Sequence, residues 1–319
     1  MCLIAWNWQP GRATPLLLIA NRDEFYARPA QAVQWWDQDH ILAGKDLQAG
    51  GTWLGVTRTG RLAALTNYRD YREDGNGNGK GKGNRNDPTM LRPGAPSRGE
   101  LVTDFLNSEL SAPVFLRRLS DRAEDYNPFN LLVFDGQQLL GLQSRGAEVI
   151  EMQPGIGAVS NADFHSPWPK LAWLRDALGA HVNNGEAAKD EAGNDEAGND
   201  EAVNGETVNR EADNEALLAL LQNTMIAPDD ALPQTGLPLA RERALSAAFI
   251  TSPDYGTRAC SVVRIGQTDA EFVERCFDAG GLVARQNHAY SLDPTSRLHR
   301  AGSSGSFGSG SKGGHGHTL

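Results

Sequence analysis

Apolar positions fall in short runs divided by turn signals, a pattern of many strands with a few helices. Residues 2–8 (CLIAWNW) are almost wholly apolar and aromatic, and Gln9-Pro10-Gly11 marks a turn after them. Residues 16–20 (LLLIA) read as a buried strand that delivers Asn21-Arg22-Asp23-Glu24 at its end. Residues 52–58 and 61–67 flank Thr59-Gly60 and predict a hairpin, and 130–134 with 138–143 predict another around Asp135-Gly136. A short run at 158–160 leads into a turn rich in Asn, Asp and Pro. Helical spacing appears over 98–110, 113–123, 170–178 and 215–222, and two late strands over 261–266 and 271–276. Hairpins grouped with a few helices predict an α+β layered domain.

Three stretches lack any such pattern. Residues 73–87 (EDGNGNGKGKGNRND) form a Gly/Asn-rich loop, and 301–319 a Gly/Ser tail expected to be disordered. Residues 179–215 read as an acidic low-complexity insertion, with DEAGN at 190–194 and 195–199 and DEAVN at 200–204. A period of five fits neither helix nor strand, so the insertion reads as a solvated spacer. Deleting 184–215 is therefore expected to leave stability nearly unchanged. The rest of 1–300 is long enough for one large core.

Charge follows the same division. The chain has 40 Asp and Glu against 30 Lys and Arg, a net of −10. Residues 184–215 hold eleven acidic and two basic side chains, so this segment carries −9 of that total and the remainder only −1. A near-neutral body argues against a nucleic-acid binder that works through a general basic field. Three cysteines without a CxxC make no disulfide framework, and free thiols suit a reducing compartment. The start of the chain lacks a basic n-region, and its apolar runs fall far below the ~20 residues that cross a bilayer. These features predict a cytoplasmic protein with no membrane span.

Cys2 is the sharpest chemical feature. Removal of Met1 would leave a thiol and an α-amine on one residue, with reference pKa values of about 8.5 and 8, so that one can activate the other. The competing reading is a small buried hydrophobe. Arg22 can hold a carboxylate or lower the pKa of a nearby thiol, or else pair with Asp23 at a strand end. Asn67, Asn161 and Arg258 follow apolar runs in the same way as Asn21. An Asn amide there is a candidate oxyanion donor as well as a turn former. The seven histidines show no HExxH or zinc-type pairing, so no metal site is predicted.

Together MCLIAW, IANRDEFYARP (19–29), AGKDLQAGGTWLGV (43–56), LTNYRD (65–70), SNADFHSPWPK (160–170) and YGTR (255–258) resemble the NRDE family, also called the transport and Golgi organisation protein 2 family. The resemblance covers 1–300 outside the loop and the insertion. It implies a four-layer α-β-β-α sandwich of the N-terminal nucleophile hydrolase type. By the same comparison Cys2 is the nucleophile and its own amine the base, with Arg22 and Asp23 orienting them. Asn161, together with Asn67, stabilises the oxyanion, and Arg258 and Asn21 are further polar groups of the pocket. In related cysteine acylases the acidic residue lies a few positions after the Arg, whereas Asp23 follows Arg22 directly.

Two functions follow from the resemblance. One is a hydrolase of a small amide or N-acyl substrate, cleaving a non-peptide C–N bond and needing no cofactor. The other is a non-catalytic carrier of haem or a lipid-like ligand in the same cleft, since the family is associated with haem trafficking, Golgi organisation and lipid metabolism. The chain has neither CxxCH nor a Cys-Pro dipeptide, so haem enters as a transported ligand and not as a covalent group. The oligomeric state stays open.

Overall fold

Alternation decides the layering. In β1 (Cys2–Trp8), Ile4, Trp6 and Trp8 pack on one face, and Leu3 and Ala5 on the other. β2 (Leu16–Phe25) repeats this, with Leu16, Leu18 and Ala20 opposed to Ile19. Strands apolar on both faces need cover on both. The computed structural model describes residues 2–36, 40–69, 92, 94–164, 166–191 and 199–293, with backbone alone at 186–191 and 199–208. The expected loop 73–87 and tail 301–319 lie outside the described residues.

The first sheet has the order β10 (Gly155–Val159), β1, β2, β11 (Tyr255–Ile265), β12 (Asp269–Asp278), β13 (Gly281–Ser291). The second runs in chain order: β3 (Ala30–Trp35), β4 (Ile41–Asp46), β5 (Leu54–Thr57), β6 (Leu62–Asn67), β7 (Phe129–Phe134), β8 (Leu139–Gln143), β9 (Glu148–Glu151). Every neighbouring pair is antiparallel. Both expected hairpins form, β5–β6 and β7–β8, with Gly60 and Gly136 at positive φ in their turns.

Three apolar clusters make four layers. Trp6, Trp8, Leu18 and Val263 meet Leu54, Val56, Leu62 and Phe134 between the sheets. Outside the second sheet, α1 (Gly99–Asn107) and α2 (Ala112–Ser120) lay Phe105 and Leu116 on Ala63, Leu131 and Val133. Outside the first, α3 (Pro169–Glu191) and α4 (Asn199–Leu221) lay Leu174, Leu178, Leu217 and Leu221 on Leu3, Ile19 and Val262. The architecture is the α-β-β-α sandwich. Among the described residues no helix is long and apolar enough to cross a membrane.

Two expectations need correction. Asn21-Arg22-Asp23-Glu24 does not leave a strand: β2 continues to Phe25, because β1 pairs Asn21 and Arg22 and β11 pairs all four residues. The acidic stretch is not unpacked at its ends. α3 and α4 flank residues 192–198, and there the His181 ring nitrogen lies 2.6 Å from Asp213, while Asn214 donates to Glu271 at 3.0 Å.

Candidate functional site

At one end of the sandwich the sheets part around a cavity of about 640 Å³. Cys2 enters it because β1 alternates: the thiol shares the inter-sheet face of Ile4, one pair beyond the packed core. It is 6 % exposed, and burial pushes its thiol pKa up. Arg22 lies directly across the ladder from Cys2. Its Nη2 donates to Asp46 at 3.2 Å, and Arg28 Nε donates to the same oxygen at 2.6 Å. Burial opposes ionisation of Asp46, yet the bonds from Arg28 and the Ala49 backbone N–H hold its carboxyl below the ordinary range.

Asp23 also lines the cavity, and its Oδ1 accepts the Thr257 hydroxyl at 2.7 Å. Burial pushes its carboxyl pKa up, while the Lys170 ammonium and the Thr257 bond pull it down. Asn67, at the end of β6, lines the cavity too. Arg258 lines it and binds carbonyls: Nη1 donates to Phe25, Tyr26 and Arg28 at 2.9–3.1 Å, and Nε to Phe277 at 3.0 Å. It therefore fixes the turn between β2 and β3.

Two expected residues lie elsewhere. Asn161 is fully buried and is not among the lining residues; its Nδ2 donates to the Asn67 carbonyl at 2.8 Å, so it shapes the wall behind Asn67. Asn21 faces the helical layer, on the same side of β2 as Ile19. Its Nδ2 donates to Leu221 O and Ala248 O, both at 2.8 Å.

Other residues of the site were not anticipated. Lys170 is 5 % exposed in the first turn of α3, and burial lowers its pKa to about 8, with Asp23 opposing that shift. Its sequence signal is a cation where the helix dipole favours an anion. Arg69 and Glu242 form a buried ion pair at 3.1 Å, with Arg69 stacked 4.6 Å over Trp168. Glu274 accepts the Val33 N–H at 2.7 Å and ties β12 to β3. Glu242 sits on α5 (Leu239–Ala244), far along the chain from Arg69, so only tertiary structure joins them. Among the described residues no group of three His, Cys, Asp or Glu could hold a metal ion.

The family model described as Transport and Golgi organisation 2 matches residues 1–279. The Transport and Golgi organization protein 2 homolog of Bos taurus is 32 % identical over 283 residues, covering 83 % of this chain and 88 % of the bovine protein. The homolog of Homo sapiens is 30 % identical over 285 residues, with the same shares. Among solved structures, the mutant C2A conjugated bile acid hydrolase from Clostridium perfringens aligns with a TM-score of 0.41 at 7 % identity, over 92 % of this chain and 97 % of that one. The residues quoted as a resemblance thus run through a match of nearly the whole chain, and the chain belongs to the Transport and Golgi organisation 2 family.

Proposed function

We propose that this chain is a cysteine hydrolase of the N-terminal nucleophile kind, acting on a small anionic amide or N-acyl substrate. One observation carries the reading: Cys2 begins β1 with its thiol on the cavity and Arg22 directly across the ladder. Because burial holds the thiol protonated, it needs a base. Removal of Met1 provides one, the α-amine of the same residue, whose reference pKa of about 8 makes it neutral enough to accept the proton. Sγ bonds to the substrate carbonyl carbon, and the Asn67 amide, on the cavity wall, is the candidate donor to the oxyanion. The C–N bond breaks as the leaving amine takes that proton, and water then hydrolyses the thioester to acid and free thiol. An anionic substrate fits because eight Arg or Lys against four Asp or Glu line the cavity.

The test is intact-mass analysis together with acyl-adduct mass spectrometry after reaction with 4-nitrophenyl acetate. Met1 is expected to be absent and the adduct to sit on Cys2, vanishing in Cys2→Ala. Met1 retained on the reactive protein, or an adduct that survives Cys2→Ala, overturns the reading.

A ligand carrier is the second reading, favoured by a cavity of drug-like size and a thiol that burial keeps neutral. It predicts saturable binding of haem, read as a Soret shift, that persists when the α-amine is blocked.

A further inference from the structure

The floor of the cavity is one cross-strand row. Cys2 of β1 faces Arg22 of β2, Arg22 faces Ala259 of β11, Ala259 faces Cys276 of β12, and Cys276 faces Ala284 of β13. All five line the cavity. With strands about 4.8 Å apart, the row runs roughly 19 Å from Cys2 to Ala284. Two rows inward the same face is filled by Trp6, Leu18, Val263 and Phe272. Beyond Arg22 the outer row carries only Ala, Cys and Ala, and the facing sheet adds Ala32 of β3 and Gly44 of β4 between the larger Gln31 and Lys45. The same strands that pack solidly inside thus leave a narrow trough at their end.

Arg22 shows that the trough is built for an occupant. It is 8 % exposed, and its Nη1 is buried without a hydrogen-bond partner among the described residues, although Nη2 is taken by Asp46. A buried guanidinium nitrogen without an acceptor costs free energy, and an oxygen of a molecule lying in the trough would satisfy it. Past Arg22 the floor offers methyl groups and the Cys276 thiol, which burial and Glu274 keep protonated, and the Glu274 carboxyl one row inward is taken up by the Val33 N–H, the Ser261 hydroxyl and that thiol. That stretch suits an unbranched apolar arm.

We infer that the substrate is elongated and lies across the strands, with an oxygen on Arg22 and an apolar arm over Ala259 toward Cys276 and Ala284, and that Ala259 determines the arm length accepted. The inference rests on the hydrolase reading only in placing the scissile carbonyl at Cys2; the trough holds an arm whether or not Cys2 reacts.

The full-length chain and its Ala259→Phe variant are treated with 4-nitrophenyl acetate and 4-nitrophenyl octanoate, and Cys2 acylation is read by mass spectrometry. The octanoyl-to-acetyl ratio is expected to fall about tenfold in the variant, the scale of a few lost pocket contacts. A ratio unchanged within about twofold overturns the inference. Calorimetric titration of laurate and butyrate into Cys2→Ala, with and without Ala259→Phe, separates trough from chemistry. If neither ester acylates Cys2 but Ala259→Phe removes the advantage of laurate over butyrate, the trough stands and the hydrolase reading fails. If Cys2 is acylated and neither assay favours the longer arm, the hydrolase reading stands and the trough fails. Should Ala259→Phe not melt cooperatively, Ala259→Val and Ala284→Leu are measured in its place and the same ratios decide.

Discussion

Asn21 donates from one buried amide to two carbonyls, Leu221 O, where α4 ends, and Ala248 O in the segment after α5. The last carbonyls of a helix lack intrahelical donors, so this amide serves as a cap supplied by a distant strand. Asn21→Ala is expected to lower unfolding stability by about 2–4 kcal/mol, because two buried acceptors lose their donor. Urea melts measure this. A variant that melts like the parent but binds substrate more weakly would restore Asn21 to the pocket. Cys2 and Arg22 were legible as residue types because their chemistry is distinctive. The roles of Asn21 and Asn161 were not, since an amide looks the same whether it meets a carbonyl or an oxyanion.

At the scale of elements, hairpins and amphipathic helices followed the pattern of the chain, and errors came where tertiary pairing extends a strand. β2 runs through four polar residues because β11 pairs all four and β1 the first two, and β11 starts at Tyr255 because it pairs with Phe25 of β2. β13 gives no strand signal in the sequence, because its half-exposed positions alternate without an apolar run. The acidic insertion is the clearest correction. Asp213 binds Arg264, and Asn214 and Arg264 both bond Glu271, so α4 anchors on β11 and β12. Deleting 184–215 is now expected to lower stability by about 2–4 kcal/mol, since partly buried Arg264 and buried Glu271 lose these partners. Unchanged thermal melting of the deletion variant would return the segment to a passive spacer.

The whole molecule decides the charge state of the site. Asp23 from β2, Lys170 from α3, Arg69 after β6 and Glu242 from α5 converge in one buried group whose formal charges cancel. Lys170 has its pKa lowered from 10.5 to about 8 by burial. Between these values the folded chain binds fewer protons than the unfolded chain, so the contribution of Lys170 to stability rises with pH across that window and is least favourable below it. Lys170→Met is expected to flatten this rise, a difference of about 3 kcal/mol from the parent over the window. Urea melts from neutral pH to about pH 10 read it, and parallel curves for parent and variant would show that Lys170 does not titrate there.

The sequence by itself determined the layered α+β class and the hairpins, and marked Cys2 as a candidate, because period, turn residues and a thiol beside an α-amine are local properties; the four layers came through the family resemblance. It also carried the family, through motifs spread in order along the chain. The tertiary structure alone decided which polar residues share a cavity. Facing depends on register: Arg22 reaches the floor and Asn21 the helices through the alternation of one strand. The trough from Cys2 to Ala284 likewise exists only once five strands align residues that lie far apart in the chain. Local pattern says how a segment folds, whereas register between distant segments says what stands beside what.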